Sequence, residues 1–597
     1  MKSWPWLQRL LDPAAGAAGR QFTLGDRGDK PEAEDRGATL LSDAQVRTEG
    51  VLTHIGNLLD AGPKGKEALD KTGDLSTSLD ENVDRLKKLF RMPENKDLII
   101  RDLQIATQPP TRAVVCFMEG ITDKIVINDH ILKPLMLLAH LDHHIGGEGE
   151  AGPTRFSIDT LIKRLLPGHQ AAEKYDMAAV AESLLAGDTV LFFENERAAV
   201  AVETKAPPGR SVGEPKSEKT VQGANDAFVE AWRVNVALVR RRLKDPRVVT
   251  DILKVGRVSN NYVGLMYIDG IASPKLIAEV RRRIEAIDVD VVNSAGALEQ
   301  FIEDAPGSWM PGLMTTERPD RTAAYLSEGN VAIMVDNAPY ALIAPVTFWT
   351  LLQTAEDYTL RYPFGSLIRY VRMAALLTTV LVPAIYIALV NYHQEMIPTE
   401  LMLFIASTRE HVPLPALLEL LLMDFSFELI REAGTRIPSV IGSTVGLVAS
   451  LVLGQAAVEA KLISPLIVLI VAVTGLASFA IPNYMAGFGV RAWRFLILLG
   501  AALLGFYGIA AVLFALVIYL AGLRSFGIAF LTPVAPLRPL TADAITRAPL
   551  YQMEMRPSYT RPLDQRRQSE VVRTWDPLAP SGQGGKKDGK QGEGGES

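Results

Sequence analysis

The sequence predicts an α/β soluble N-terminal region of two related subdomains, followed by an α-helical polytopic membrane domain. The first observation is an uneven distribution of charge, because most charged residues lie before Arg372 or after Arg524. The apolar stretches between them are close to the ~20 residues that a helix needs to cross a bilayer. The second observation is a pattern of strand, turn, helix and hairpin that occurs twice, in the same order. Such a repeat is typical of a duplicated unit.

The N-terminal end of the chain does not read as a signal peptide. Residues 1–50 mix glycine, alanine and charge, and Trp4 and Trp6 are not followed by a sustained apolar core. We therefore predict a mostly disordered segment over 1–50 and a helical lead-in over 51–94. The soluble region is expected to stay on the side of the membrane where it is made.

The two α/β subdomains are predicted at 95–224 and 225–360. In each, an apolar strand ends in an acidic residue followed by glycine, at Glu119 in the first and Asp269 in the second. Turn chemistry favours this pair, because glycine supplies the backbone angle and the carboxylate can cap the next helix. A ligand-binding role is the alternative, but no phosphate loop or GxGxxG motif accompanies either turn.

Further along, each subdomain has a predicted hairpin that turns at an acidic residue followed by asparagine. These turns are at Glu194 and Asp336, each between two apolar runs. A helix over 225–243 is predicted to link the subdomains. A second helix over 274–287 begins with Pro274, a residue suited to the first helical turn.

Composition argues against several classes of function. The net charge of −6 disfavours nucleic acid as a partner, and the single cysteine, Cys116, lies in an apolar run typical of a buried side chain. His140, His143 and His144 have a spacing that could hold zinc, but they run into a glycine-rich stretch that favours a solvated linker. We predict no metal site, no cofactor and no enzymatic activity, since no nucleophile and base have workable spacing.

The membrane domain is predicted at 361–545. Four spans and one re-entrant or interfacial segment are expected, the spans near 373–391, 440–458, 463–483 and 495–522, and the re-entrant segment at 401–430. Residues 546–597 are predicted to form a tail that is disordered from about 577.

Arginines beside the spans bear on topology. Arg361, Arg369 and Arg372 precede the first span, which favours a cytoplasmic N-terminal region, and basic residues after Arg524 favour the same side for the C-terminus. Four crossings place the N-terminal region and the C-terminus on the same, cytoplasmic side. They leave Arg431, Arg436, Arg491 and Arg494 outside, against the positive-inside bias. A fifth crossing through 414–430 would place those arginines inside but expel the C-terminus.

Ionisable residues inside apolar segments are the candidate pore or gating residues, since charge at bilayer depth is costly unless it faces protein or water. They are Glu419, Asp424, Glu428, Arg431, Glu432 and Glu459, together with the uncharged Gln455, which lies one helical turn before Glu459. Two interpretations remain open. The carboxylates either pair with Arg431 and Arg436 inside one subunit, or form a ring around a cation path in an oligomer.

Other features of the membrane domain bear on packing and gating. Small residues recur every fourth position at Gly442, Gly446, Ser450 and Gly454, so another helix can approach closely, within the subunit or from another. Pro383 and Pro482 are candidate kinks. An interfacial cluster at the outer mouth is predicted, formed by His393, Gln394 and Glu395.

Several sequence blocks resemble the signature blocks of the GerA-type spore germination family, A subunit. They occur in the family's order between about residues 95 and 562, at 117–134, 240–246, 316–321, 345–349, 393–398, 431–434, 454–459, 525–527 and 536–539. Each block alone is weak, but their order and coverage are specific.

The resemblance implies a subunit of a nutrient germinant receptor in the inner membrane of a bacterial spore, with its N-terminal domain on the core side. Such A subunits are expected to self-associate into a channel for monovalent cations. Their expected partners are a transporter-like B subunit that binds the nutrient, a lipoprotein C subunit and membrane lipid.

Three alternatives differ in role. A SpoVAF-like accessory protein would amplify ion release rather than serve a nutrient receptor. A secondary transporter should show matching broken helices in two membrane halves, whereas the duplication here lies in the soluble region. A membrane enzyme should offer a catalytic constellation, and the sequence shows none.

Overall fold

The computed structural model describes residues 73–105, 110–137, 170–206, 213–436, 454–537 and 543–568, with the single positions 158 and 162. It confirms the predicted fold class. Two antiparallel sheets with covering helices form the N-terminal region, and apolar helices form most of the C-terminal half.

The first sheet has five strands in the order β1-β2-β4-β5-β3, with every neighbouring pair antiparallel. The strands are β1 Leu98–Ile105, β2 Thr111–Met118, β3 Ala171–Lys174, β4 Thr189–Phe193 and β5 Ala199–Val202. Helices α1 (Leu79–Leu89) and α4 (Met177–Ala186) pack on one face. The other face is covered by the helical run of α2 (Lys124–Val126), a π-helix (Ile127–Leu132) and α3 (Lys133–Leu137).

The second sheet repeats this order as β6-β7-β9-β10-β8. Its strands are β6 Val248–Val255, β7 Asn261–Ile268, β8 Met314–Thr316, β9 Val331–Val335 and β10 Ala341–Ala344. Helices α6 (Pro274–Glu285) and α7 (Ala295–Ile302) bury one face, while α5 (Trp232–Arg240) and α8 (Pro319–Ser327) bury the other. The predicted duplication is therefore present at the level of strand topology.

Turn residues behave largely as the sequence predicts. Asn195 and Asn337 adopt positive φ angles of 65° and 64° in the two hairpins, and both glycines of the acidic-glycine turns have positive φ as well. The capping prediction is wrong at both turns, because Asp123 caps the helix after Glu119 and Ser273 occupies the N-cap position of the helix after Asp269. Glu119 pairs with Lys124 and with Arg233.

The linking helix is shorter than predicted. It covers Trp232–Arg240 rather than 225–243. The chain before it is held in a non-helical path by Asn235, whose side chain accepts from the Val229 N–H at 2.8 Å and donates to the Val229 carbonyl at 2.6 Å. Side-chain amides that bond nearby backbone compete with helix formation in this way.

The C-terminal half begins with two short helices, α9 (Phe348–Leu351) and α10 (Glu356–Thr359). The helices that follow are α11 Tyr362–Asn391, α12 Thr399–Arg409, α13 Ala416–Arg436, α14 at 454–459, α15 Pro465–Ser478, α16 Tyr484–Leu504 and α17 Phe506–Gly522. Among the described residues, α11 and α16 are long and apolar enough to cross a membrane, and α15 and α17 are shorter apolar helices.

The predicted single span at 495–522 is wrong, because the chain breaks at Gly505 into α16 and α17. Gly505 has φ 60° and ψ −136°, a conformation essentially restricted to glycine. The two helices fold back as a tight hairpin, in which Gly500 and Gly508 bring their backbones into contact. Tyr392 donates from its hydroxyl to the carbonyls of residues 502 and 503, near the end of α16.

Two more expectations need correction. Pro482 lies between α15 and α16, just before the Asn483 cap, so it kinks neither helix. Residues 401–430, expected as one re-entrant segment, are divided between α12 and α13. Pro383 lies inside α11, which the structure assigns as one continuous helix. Most of the predicted span at 440–458 falls outside the described residues.

After α17, a small hairpin of β11 (Arg524–Ser525) and β12 (Ile528–Ala529) leads back to the soluble region. Residues 543–568, here called the C-terminal strap, then bind the second subdomain. Arg556 donates to the Ser327 carbonyl, Thr560 to the Glu328 carbonyl, and the Leu563 N–H to the Ile271 carbonyl. The strap therefore ties the segment that follows the apolar helices to the subdomain that precedes them.

Candidate functional site in the helical bundle

The start of α11 is anchored to the soluble region by buried charge. Asp357 is fully buried and accepts from Arg369 at 2.9 Å and from Arg372 at 2.8 Å. Arg369 also pairs with Asp543 of the strap at 2.7 Å. Because one carboxylate is shared by two arginines of α11, these arginines fix the end of the bundle that faces the soluble region.

The opposite end of the bundle carries the predicted outer-mouth cluster. The His393 ring packs 4.9 Å from the Phe506 ring, close to the turn at Gly505. Gln394 donates to the carbonyl of Val390, and Glu395 is exposed. The three predicted residues thus share the end of the bundle farthest from the soluble region, while their part in gating stays a prediction.

Glu419, near the start of α13, is fully buried in an interhelical contact. It accepts a 2.8 Å hydrogen bond from the Ser464 backbone N–H, just before α15, and pairs with Arg409 at 3.3 Å. At the other end of α13, Arg431 donates to Ser478 at 3.0 Å, at the end of α15. Helices α13 and α15 therefore run parallel.

Asp424 and Glu428 meet arginines of α16. The Arg494 Nε lies 3.4 Å from Asp424, and both side chains are fully buried. The Glu428 carboxylate lies 3.2 Å from a guanidinium nitrogen of Arg431, 3.4 Å from one of Arg491 and 3.6 Å from one of Arg494. We call these five residues the bundle ion cluster; they lie where α13 and α16 run antiparallel.

Bonding within the bundle ion cluster is loose. Charge-assisted N–H···O contacts are usually about 2.7–2.9 Å, so these separations are long. Both Asp424 oxygens and all three Arg494 nitrogens lack a hydrogen-bond partner among the described atoms. Three arginines face two carboxylates, which leaves one formal positive charge in excess. Buried charge bonded this loosely is costly, and such residues commonly mark functional regions.

The cluster lies at the soluble-domain end of the bundle. The Trp493 ring packs 5.5 Å from Trp309, in the loop after α7, and 5.2 Å from Tyr519 of α17. Tyr519 also contacts Ser308 through its hydroxyl at 2.9 Å. A Cβ on Gly489 would lie 2.4 Å from the Trp309 carbonyl oxygen, so this approach requires glycine.

The structure places the predicted site residues in three groups. Glu419, Asp424, Glu428 and Arg431 form ion pairs within one chain. Glu432 is exposed near the soluble-domain end. Gln455 donates to Glu459 at 2.9 Å, and both are exposed, which agrees with the predicted shared face.

The remaining predicted residues give less information. Gly442, Gly446, Ser450 and the Arg436 side chain lie outside the described part of the chain. Gly454 is buried, and a Cβ there would approach Val468 of α15 at 3.8 Å, an ordinary contact.

Sequence reasoning missed Arg491 and Arg494 as partners, treating them only as markers of topology. Their i, i+3 spacing matches the i, i+4 spacing of Asp424 and Glu428, so complementary faces were visible in the sequence. It also missed Trp309, whose only signal was an aromatic residue in a proline- and glycine-bounded loop.

In the soluble region, the predicted burial of Cys116 is confirmed, and burial raises the pKa of its thiol. Among the described residues, no group of three His, Cys, Asp or Glu side chains is placed to hold a metal ion. His140, His143 and His144 lie outside those residues.

Fold and site together define a protein with a duplicated α/β region and an apolar helical half that contains an internal ion cluster. Residues 84–559 match the Bacillus/Clostridium GerA spore germination protein family, and the chain belongs to that family.

Similar proteins cover most of the chain. Uncharacterized membrane protein YfkQ of Bacillus subtilis is 38% identical over 82% of this chain and 96% of its own length. Spore germination protein KA of the same species is 36% identical over 84% of this chain and 90% of its own. Spore germination protein GerLA of Bacillus cereus is 37% identical over 78% and 93%.

One solved structure is also similar. It is the crystal structure of the N-terminal domain of the A subunit of the Bacillus megaterium spore germinant receptor GerK3. It is 29% identical, covers 47% of this chain and 98% of its own, and has a TM-score of 0.36.

Proposed function

We propose that the chain is the A subunit of a spore germinant receptor, and that its copies assemble in the inner spore membrane into a nutrient-gated channel for monovalent cations. The nutrient-binding B subunit and the lipoprotein C subunit are its proposed partners. Family membership supports the receptor role. Glu432 and Glu459 support the channel, because exposed carboxylates near both ends of the bundle suit a path for cations.

The helix directions favour six crossings rather than four. Helix α11 leaves the soluble-domain end and α13 returns to it. Helix α15 starts beside Glu419 at the far end, so the span predicted at 440–458 would supply the remaining crossing. Helix α15 then returns to the soluble-domain end, α16 leaves it, and α17 returns to it again. Both soluble segments lie on one side, which we assign to the spore core, and Arg431, Arg491 and Arg494 move to the cytoplasmic side that positive-inside bias favours.

We assign the two roles, ion pairing inside one subunit and a ring around a cation path, to different carboxylates. Glu419 and Asp424 are enclosed beside arginines and hold helices together. Glu432 and Glu459 are exposed, one near each end of the bundle. In an oligomer they are the better candidates for rings of negative charge at the two mouths of a cation path.

Gene deletion tests the proposal. Spores lacking this chain should lose potassium release and germination in response to at least one component of a complex nutrient mixture, and expression of the intact chain should restore both. Unchanged release with every component would contradict the receptor role.

The accessory, SpoVAF-like role is the second candidate, because family membership fits an accessory protein as well as a receptor subunit. Deletion would then slow potassium release for every nutrient alike without abolishing the response to any. A nutrient-selective loss would exclude it.

A further inference from the structure

A cleft of about 290 Å³ lies where three parts of the chain meet. One wall is α8, one is the segment of residues 353–359 that precedes α11, and the third is the C-terminal strap with Leu550 and Arg567. The volume is near the lower end of the range for small-molecule sites, about 300–1,000 Å³. A molecule bound there would touch the second subdomain, the strap and the approach to the first long helix at once.

The cleft contains one carboxylate that its surroundings leave under-bonded. Glu328 follows α8, and its side chain is 12% exposed. Its described ion pair is with Arg567, at 3.4 Å from a guanidinium that is 34% exposed. A carboxylate can accept about four hydrogen bonds, so Glu328 keeps acceptor capacity toward the cleft.

The other charged groups of the cleft are already engaged. Asp320 accepts from Arg318 at 2.8 Å, and Arg321 pairs with Glu218 and donates to the Gln353 carbonyl. Neither is available to a ligand without breaking a buried contact. Arg567 differs from these groups because it is partly exposed, so a ligand can displace its side chain from Glu328 toward solvent.

The remaining lining is largely apolar and aromatic. The apolar part consists of Ala324, Ala355 and Leu550 beside the rings of Tyr325 and Tyr358. Arg321 lies 5.9 Å from the Tyr325 ring centroid and Arg369 lies 5.5 Å from that of Tyr358, so each ring already has a guanidinium over it. The Glu328 carboxylate therefore carries the recognition, because a largely buried carboxylate beside an apolar surface binds an ammonium group through a charge-assisted hydrogen bond.

We propose that this cleft is a binding site for a small organic ammonium ion, with the cation on Glu328 and a short apolar body between Tyr325 and Leu550. The site lies outside the apolar helices and does not depend on the chain acting as a channel.

Binding of alkyl compounds to the purified, detergent-solubilised full chain tests this directly. The probes are n-butylammonium, 1-butanol and butyrate, compared by ligand-observed NMR. Butylammonium should bind at least tenfold more tightly than the other two. Equal binding of the alcohol would show that the cleft binds the apolar chain without recognising the ammonium group. Preferential binding of butyrate would show that Arg567 recognises the ligand. Either result overturns the proposal.

Variants locate the binding. Glu328→Gln keeps the side-chain shape and should lower butylammonium affinity at least tenfold, while Ala324→Leu should block the cleft from its exposed side. Glu285→Gln, an exposed change on α6, is the matched control and should bind as the parent does. Unchanged binding by both cleft variants would overturn the site.

The pH dependence of butylammonium binding gives a further test. Burial and Asp543 raise the pKa of Glu328 to about 7, against Arg567, Arg369 and Arg556, which lower it. Tyr325, Tyr358 and Tyr559 also face this region. Butylammonium affinity should therefore fall between pH 8 and pH 6 as Glu328 protonates. An affinity that rises over this interval would contradict Glu328 as the recognising group.

Discussion

At the scale of single residues, Arg240 joins the two sheets. Its Nε donates to Asp97 at 2.6 Å, and one Nη donates to Asn95 and to the Val248 carbonyl, each at 3.0 Å. Asp97 precedes β1 and Val248 begins β6, so one side chain at the end of the linking helix contacts both subdomains. Its side chain is 2% exposed.

Replacing Arg240 with alanine should lower the free energy of unfolding by about 3–5 kcal/mol, because Asp97 is left buried without its partner. Chemical denaturation of the solubilised chain measures this. Arg233→Ala is the control, since its pair with Glu119 is half-exposed and should contribute under about 1 kcal/mol. Equal effects of the two changes would refute the role of Arg240.

Two glutamates near the loop that meets the bundle give a pH-dependent stability. Burial raises the pKa of Glu299 and of Glu303 to about 7, from an ordinary value of 4.5. Neighbouring carboxylates add to the shift, and hydrogen bonds from the backbone at residues 312 and 313 oppose it.

A raised carboxyl pKa stabilises the folded state below the unfolded pKa, and this contribution is lost as pH rises through the folded pKa. Stability should therefore fall between pH 5 and pH 8, by an amount on the order of 2 kcal/mol per group. Glu303→Gln should flatten the dependence in thermal unfolding, while the exposed Glu285→Gln should keep it. A stability that increases over this window would contradict the sign.

At the scale of elements, the α16–α17 hairpin depends on glycine. A Cβ on Gly508 would lie 1.9 Å from the Gly500 carbonyl oxygen, and the clash is with backbone. Gly508→Ala should therefore separate the helices and reduce the amount of folded protein in membranes several-fold. Gly522→Ala, where nothing lies within 4 Å, is the matched control. Normal amounts of both variants would show that the hairpin is looser than described.

The contact between α13 and α16 can be tested by a double-mutant cycle. Asp424→Asn leaves Arg494 buried without its nearest carboxylate and should destabilise the chain by about 3 kcal/mol or more. Arg494→Gln should do the same, and the double variant should be more stable than the sum of the single losses predicts. Strict additivity would mean that the two side chains do not interact.

Sequence pattern predicted elements where the determinant is local. The hairpins at Asn195 and Asn337 follow from turn residues that tolerate positive φ, and the two sheets follow from the repeated order of strands and turns. The linking helix was overestimated because the Asn235 side chain binds backbone six residues away, which a hydrophobic pattern does not register.

Contacts between residues far apart in the sequence could not be predicted. The partners of Asp424 and Glu428 are some 65 residues away in sequence, and their pairing depends on which way α16 runs. The turn between α15 and α16 sets that direction, while Gly505, one glycine in a continuous apolar run, turns α17 back along α16. Local composition cannot distinguish one long span from a hairpin of two helices there. The crossing number depended on this distinction.

At the scale of the whole molecule, the soluble region and the bundle are joined at three places. Asp357 holds the start of α11, the Trp309 loop rests on α16 and α17, and the C-terminal strap returns to α8. A movement of the bundle therefore reaches the duplicated α/β region by several routes. This arrangement suits the proposed receptor role, in which the α/β region would respond to the state of the helical bundle.

We propose that the helical half forms a cation path lined by exposed carboxylates. Potassium release from spores after addition of a complex nutrient mixture tests it most directly. Glu432→Gln and Glu459→Gln should each slow release several-fold with normal protein amounts, while Glu182→Gln, an exposed change on α4, should leave it unchanged. Normal release from both bundle variants, in spores that contain the protein, would show that these carboxylates do not line a cation path.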